Sequence, residues 1–195
     1  MLHPATKLQS VRGEIGVGVI ATAAILRGTI TWARDPLDRV LTPAQVARLP
    51  APCIADIERY TWRDAAGNQI LSWDLARFVN HSCDPNCLAA PGGCEIAVRE
   101  IAAGEEITND YANLGMLDAE RFRCYCASRR CRGFVGSGDA ANFARGWHDL
   151  VIAALPAVPL VSQPLWNLLG AATRKALQAA PPAARPADPG APEGR

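Results

Sequence analysis

Residues 77–87 read Arg77-Phe78-Val79-Asn80-His81-Ser82-Cys83-Asp84-Pro85-Asn86-Cys87, and this stretch decides the fold. An apolar pair opens it. Two Asn, one His and two Cys then follow with almost no spacing. A lone histidine is usually a satisfied structural residue. Contiguous polar groups directly behind buried-looking residues read instead as a site, because burying them without partners is costly. Two further dense segments lie downstream. Gly104-Glu105-Glu106-Ile107-Thr108-Asn109-Asp110-Tyr111 is a strand that ends in a tyrosine, and Cys124-Tyr125-Cys126-Ala127-Ser128-Arg129-Arg130-Cys131-Arg132-Gly133 packs three cysteines into one tight run.

The segments around these three predict short strands. Residues 13–32 read as a hairpin, with Val17, Val19 and Ile30 as β-formers and Arg27-Gly28 as a turn. Pro36 to Pro52 is a punctuated insert in which Thr42 caps a short helix and Pro43 takes its first position. Strands are expected over Ile57–Trp62 and Gln69–Trp73 around the turn Ala66-Gly67-Asn68. Asp74–Val79 is a brief turn or helix. Cys94–Val98 and Glu106–Tyr111 are strands on either side of Ala103-Gly104. After Gly138 the texture becomes helical over Ala140–Leu155 and Leu165–Ala180, with Leu165, Leu168, Leu169, Ala172 and Ala176 near one stripe. That stripe suits packing on the domain, with an interaction helix for a partner as the rival use. The expected fold class is therefore β-dominated, with C-terminal helices. From Pro181 to Arg195, 11 of 15 residues are Pro, Ala or Gly, a composition expected to be disordered.

Composition narrows the function. The chain has 195 residues, 49% of them hydrophobic, and a net charge of +1. A sizeable core is affordable, and no global electrostatic case for nucleic acid exists. Lys7 and Lys175 are the only lysines among 20 basic residues; that bias points to a GC-rich, bacterial genome. Leu150–Val161 is too short to span a membrane and is broken by Pro156 and Pro159. Ile15–Leu26, with Ala21-Thr22-Ala23, imitates a signal peptide, but Glu14, Gly16 and Gly18 argue against that use. A cytoplasmic location is expected, with secretion into a host cell or, for a eukaryotic source, the nucleus as alternatives. Seven cysteines are an odd number for a disulfide framework. Clustered thiols in a reduced compartment read first as metal ligands, and three thiolates leave a tetrahedral zinc one ligand short.

Taken in order and spacing, the three segments resemble a SET-domain protein lysine methyltransferase with a post-SET zinc motif. The family pattern is R-F-[IV]-N-H-S-C-x-P-N, then G-E-E-[LI]-T-x-D-Y, then C-x-C-x4-C-R-G. Upstream, Gly16-Val17-Gly18-Val19 with Ala21-Thr22 looks like the family's Gly-x-Gly cofactor loop, and Arg27-Gly28 matches the K/R-G that follows. The resemblance covers about residues 13–133 and implies a domain division: an extension over 1–12, the SET domain over 13–117, the zinc segment over 118–138, helices over 139–180 and the tail.

The resemblance implies S-adenosylmethionine as methyl donor, protein lysine as acceptor and a knot-like threading of the chain. Gly16, Val17, Gly18, Asn80, His81 and Tyr111 would hold the cofactor. Tyr111 is the implied catalytic residue, orienting a deprotonated amine, and Tyr60 lines the lysine channel. Cys83 joins Cys124, Cys126 and Cys131 as the fourth zinc ligand, with Cys87 as its rival; Cys53 and Cys94 are expected to be small buried hydrophobes. The protein substrate would present a lysine, as a histone or histone-like tail does. Departures from the pattern stand out. Asn109 occupies the position two before Tyr111 where many members carry Phe or Tyr, so it is the expected determinant of product state. Thr31-Trp32-Ala33-Arg34-Asp35 replaces Tyr-x-Gly-Glu, and Ala127 stands where Gly is usual. Two other classes compete: a non-catalytic SET-like binding module, and a zinc-stabilised nucleic-acid binder using Arg121, Arg123, Arg129, Arg130 and Arg132.

Overall fold

The computed structural model describes residues 1–11, 13–64, 66–116 and 121–178. Its first half runs β1 (Thr6–Ser10), β2 (Val17–Ala21), β3 (Ile30–Ala33), β4 (Arg39–Leu41), α1 (Pro43–Val46), α2 (Ala51–Tyr60), β5 (Thr61–Arg63) and β6 (Gln69–Leu71). Then follow β7 (Asn80–His81), β8 (Cys87–Ala90), β9 (Cys94–Ala97), β10 (Thr108–Asn109), β11 (Arg121–Arg123), β12 (Phe134–Gly136), α3 (Asp139–Ala154) and α4 (Ala171–Gln178). The strands form small sheets in the orders β1-β2, β3-β9-β8, β4-β6-β5, β7-β10 and β11-β12. The expected β-dominated class with C-terminal helices holds.

Local chemistry sets several boundaries. Thr42 and Gln45 make a reciprocal capping box that starts α1 at Pro43, which satisfies two orphan amide donors. Asp64 Oδ1 accepts from the amides of Ala66 and Asn68, and Gly67 takes φ +76°; together they close the β5–β6 hairpin. Asp74 caps the 3-10 turn Leu75–Phe78.

The structure departs from the sequence reading in several places. The hairpin expected within 13–32 is instead β1 against β2, with Thr6 opposite Ala21 and Ser10 opposite Val17. Gly13 and Gly16, at φ +52° and +87°, turn the chain one strand earlier than Arg27-Gly28 does. Residues 6–10, expected in an extension, therefore supply a strand, and β3 leaves for another sheet to pair with β9. Ile57–Tyr60, expected as strand, is the end of α2; Pro52 in its first turn and Ile57 on its buried side favour helix over local β-propensity. Strand β8, rich in Ala and lacking β-branched residues, is held by its register with β9, Cys87 opposite Ala97 and Ala90 opposite Cys94.

Two hydrophobic clusters fill the interior. The larger joins β3, β8 and β9 to the C-terminal elements through Ile30, Leu88, Ile96, Trp147, Val151, Leu155, Leu165 and Leu177. The smaller sits beneath β2 and the 75–79 segment around Val19, Ile25, Trp32, Ile101 and Ile107. The long helix α3 buries Trp147, Val151 and Ala154, one stripe at helical spacing. Gln163 fastens the following segment: its Nε2 donates to the carbonyls of Gly28 and Val158, and its Oε1 accepts from the Ile30 amide. The helix expected over 165–180 is a 3-10 turn, Trp166–Leu168, then α4 after Gly170. Leu165, Leu169 and Leu177 are buried there, while Ala172 and Ala176 are exposed. The boundary at 117 and 118, the end of that helix at 179 and 180, and the tail 181–195 lie outside the described residues.

Candidate active site

The 77–87 and 104–111 segments meet side by side. β7 and β10 pair in parallel, Asn80 beside Thr108 and His81 beside Asn109, and the Ser82 amide donates to the Asn109 carbonyl at 2.9 Å. Asn86, 1% exposed, stitches the same seam. Its Nδ2 donates to the Glu106 carbonyl at 2.8 Å and to Glu105 Oε1 at 3.1 Å, and its Oδ1 accepts from the Thr108 amide at 2.8 Å. Asn80 Nδ2 donates to Glu106 Oε1 at 2.7 Å and to the Val17 carbonyl at 2.8 Å, so the glycine loop joins the seam as well. Gly18 has no room for a side chain: a Cβ there would sit 2.2 Å from Glu106 Oε1 and 2.8 Å from Asn80 Nδ2.

A cavity of about 780 Å³ opens beside this seam. Val17, Asn80, Asn109 and Tyr111 line it from the motif side, and Tyr60, Trp62 and Phe78 from the other elements. Trp32 and Trp62 meet edge to face at 5.5 Å between ring centroids, and Tyr60 and Phe78 at 5.6 Å. Such aromatic walls attract alkylammonium groups through their ring faces. Tyr60 comes from the last residue of α2 rather than from a strand. Gly16, Gly18 and His81 are not among the wall residues. Gly16 makes the loop's turn and Gly18 lies under Glu106.

The Tyr111 hydroxyl donates to the Val79 carbonyl at 2.8 Å. Burial, reinforced by Glu106 and Glu95, raises its pKa above the ordinary phenol value, so the phenol stays neutral and its oxygen lone pairs remain acceptors. Behind it, His81 Nδ1 accepts from the Tyr111 amide at 3.2 Å, and the His81 ring contacts Tyr111 and Phe122 edge-on. Burial, with Arg132 nearby, lowers His81 to about 3; it is a neutral wedge that sets the Tyr111 backbone.

Cys83, Cys124, Cys126 and Cys131 form one cluster in which the sulfurs all lie within 4.8 Å of one another. Amides already point at them: Arg132 N–H to Cys83 Sγ at 3.4 Å, Cys126 N–H to Cys124 Sγ at 3.4 Å and Gly133 N–H to Cys131 Sγ at 3.5 Å. Burial opposes ionisation of Cys126, but hydrogen bonds from around Cys83 and Ser128 outweigh it and bring that thiol down to about 7. Four thiols at this spacing fit a tetrahedral metal such as zinc. Cys87, the rival ligand, is fully buried outside the cluster, and Cys94 is buried as expected. Cys53, expected to be buried, is exposed on α2, whose inward residue is Ile57. Ala127 takes φ +53°, which explains why glycine suits this position.

Arg132 links the cysteine segment to the seam. Its Nη2 donates to both Asp110 oxygens, at 2.7 and 2.9 Å, and its guanidinium lies over Phe143. Desolvation still leaves Asp110 above its ordinary value despite that partner. The arginine cluster is thus largely engaged: Arg121 stacks on Phe134, Arg123 on Tyr125, and Arg130 approaches Asp84.

Glu106 and Asn86 stand in the motifs without an expected role, and Arg132 is given one only as a basic residue of the nucleic-acid alternative; in the structure all three are fasteners. The sequence reading passed over Glu95, which lines the cavity; the one acidic residue inside the apolar run Cys94–Val98 was the available signal.

The fold and site define a SET domain. The family model of the SET domain matches residues 16–112, and this chain is a SET-domain protein. It is 37% identical over 87 residues to "Histone-lysine N-methyltransferase ASHH2" of Arabidopsis thaliana, covering 39% of this chain and 5% of that protein. It is 45% identical over 69 residues to "Histone-lysine N-methyltransferase, H3 lysine-4 specific" of Saccharomyces cerevisiae, covering 31% of this chain and 6% of that protein. The chain thus spans a small fraction of these relatives. Among solved structures it is similar to the methyltransferase domain of human histone-lysine N-methyltransferase SETMAR, with TM-score 0.47, 23% identity and coverage of 69% of this chain and 58% of that one. No helix among the described residues is long and apolar enough to cross a membrane.

Proposed function

We propose that this protein transfers a methyl group to the side-chain amine of a protein lysine, with S-adenosylmethionine as donor. The observation that carries this reading is the parallel β7–β10 seam, which sets Asn80, Asn109 and Tyr111 on the wall of one aromatic cavity. The donor's sulfonium supplies an electrophilic methyl. Val17 and Asn80 are the residues that would hold it, and Gly18 leaves room for the Glu106 and Asn80 side chains that brace this wall. His81, behind the wall, keeps Tyr111 in place for it.

Lysine in water carries a proton, with a pKa near ~10.4. An aromatic cavity desolvates the ammonium and favours its neutral form. Tyr111 cannot act as base while it is a buried neutral phenol whose proton is committed to Val79. It accepts an N–H from the amine instead, which directs the nitrogen lone pair. Tyr60 and the facing aromatics pack the aliphatic stem. Orientation of this kind is worth at most about 7–11 kcal/mol of barrier.

Zinc held by Cys83, Cys124, Cys126 and Cys131 would lock the 121–136 segment against the seam, because Cys83 lies two residues beyond His81. A histone or histone-like tail is the proposed substrate class, in a cytoplasmic setting. The test is transfer of an isotopically labelled methyl group from S-adenosylmethionine to recombinant histones and to a lysate, read by mass spectrometry. Label on lysine supports the reading. Cofactor bound at stoichiometry with no label on any protein overturns it in favour of a binding module.

A further inference from the structure

The geometry points to Glu95 as the group that receives the substrate's amine. This rests on the methyl-transfer reading and extends it to a residue outside all three motifs. Glu95 sits in the middle of β9, opposite Trp32 on one side and Ala89 on the other. Its neighbours Cys94 and Ile96 point into the larger core. Glu95 lines the cavity with Trp32, Asn109 and Tyr111. A carboxyl in an apolar strand is costly to bury without a partner.

Burial raises the pKa of Glu95 to about 7 against the opposing pull of Asn109 and the N-terminal ammonium, and no arginine or lysine among the described residues pairs with it. Its polar neighbour is Asn109, 1% exposed. The Asn109 Oδ1 accepts from the Asp110 amide at 2.7 Å. Its Nδ2 meets no protein acceptor in hydrogen-bond geometry, yet stands near enough to favour the ionised carboxyl. The Glu95 carboxyl thus faces an aromatic cavity beside an amide that steadies it without neutralising it. A primary or partly methylated alkylammonium completes the arrangement. Its N–H donors reach Glu95, which holds the cation as it enters, whereas the amine that reacts is the neutral form. Tyr111 takes another N–H, and Trp32 and Trp62 cover the methylenes. Glu95 then selects a cationic chain end that still carries N–H, and Asn109 holds the carboxylate in the orientation that receives it.

The site is testable with n-butylammonium as a probe for the lysine side chain, followed through the indole N–H resonances of Trp32 and Trp62 in the zinc-loaded full chain. Glu95→Gln keeps the shape and removes the charge. It should weaken butylammonium at least tenfold, equal to about 1.4 kcal/mol, while uncharged 1-butanol binds both proteins within twofold. Equal butylammonium affinity in the two proteins overturns the assignment. A second comparison needs no variant: wild type should prefer butylammonium over butyltrimethylammonium, which has the charge but no N–H, and equal affinity for the two overturns the N–H role. Methyl transfer measured in parallel keeps the two readings apart. Amine binding through Glu95 without transfer to any lysine counts against the methyl-transfer reading and supports the amine site. Transfer with amine binding indifferent to Glu95 refutes the amine site alone.

Discussion

Replacing Arg132 with methionine removes the buried ion pair between the cysteine segment and the cavity seam, together with a longer 3.4 Å pair to Asp139. Asp110 is 1% exposed. Its two oxygens share one guanidinium nitrogen at 2.7 and 2.9 Å; it also accepts from the Ala112 amide at 3.2 Å and from the Trp147 side chain, with His81 Nδ1 3.6 Å away. Removing one partner of a buried pair costs about 3–5 kcal/mol, because the other charge stays behind unpaired. One nitrogen serves both oxygens here, so the lower end, about 3 kcal/mol, is expected. With a urea slope near ~2 kcal/mol/M, the unfolding midpoint should fall by about 1.5 M. The penalty should also depend on pH with a fixed sign. Burial already holds Asp110 above its ordinary value, and loss of the guanidinium raises it further. The folded variant then takes up a proton before the unfolded chain does. Its deficit is largest above that raised value and shrinks as pH falls through it. Urea melts of zinc-saturated wild type and variant at pH 8 and pH 5.5, followed by circular dichroism, measure both effects. Asp110→Asn in the Arg132→Met background should recover more than half of the loss. A deficit below about 1 kcal/mol at pH 8, or one that grows toward acid, would refute the reasoning.

Four further outcomes are expected. Tyr111→Phe should lower methyl transfer by ~10²-fold or more in single-turnover assays and leave cofactor affinity within a few-fold; near-normal turnover removes Tyr111 from the chemistry. Metal analysis should find one zinc per chain, Cys83→Ser should lose it, and chelation should depress activity before it unfolds the core; unchanged zinc in Cys83→Ser contradicts the ligand set. Asn109→Tyr should shift products toward monomethyl-lysine, whereas wild type proceeds beyond one methyl and accumulates dimethyl-lysine as N–H donors for Glu95 run out; a wild-type reaction that stops at one methyl, with Asn109→Tyr making no difference, sinks that account. Ala127→Gly should stabilise the zinc-loaded protein by up to ~1 kcal/mol, since a left-handed alanine costs about 1–2 kcal/mol and glycine loses part of that gain in chain entropy; a destabilised variant shows that the left-handed turn carries no cost.

Much of the site was legible because its chemistry is written in contiguous letters. Asn80, Tyr111 and the four clustered cysteines need particular atoms, so their residue types announced them. Strand partners were less legible. The β1–β2 pairing depends on where Gly13 and Gly16 reverse the chain, and alternation alone allowed Val17–Ala21 to pair forward as easily as backward. The end of α2 was misread because Ile57, Tyr60 and Trp62 favour strand locally, while the helix is secured by a buried face that only the folded chain supplies. Glu95 escaped notice for a related reason. A single acid in a short apolar strand gives no spacing signal, and its meaning depends on Asn109 and Tyr111 arriving from far along the chain.

The parallel seam also has a kinetic meaning. It is two residues long on each strand, and it exists only once the chain between residues 81 and 108, with its own β8–β9 pairing, has closed back on itself. Loop closure exacts its entropy before the short ladder returns anything, and contacts of long sequence separation form slowly. Refolding should therefore pass through species in which β8 and β9 are protected from hydrogen exchange while the β7 and β10 amides still exchange freely. The cavity is then the last part of the molecule to form and the first to be lost, so activity reports on the final stage of folding rather than on the core.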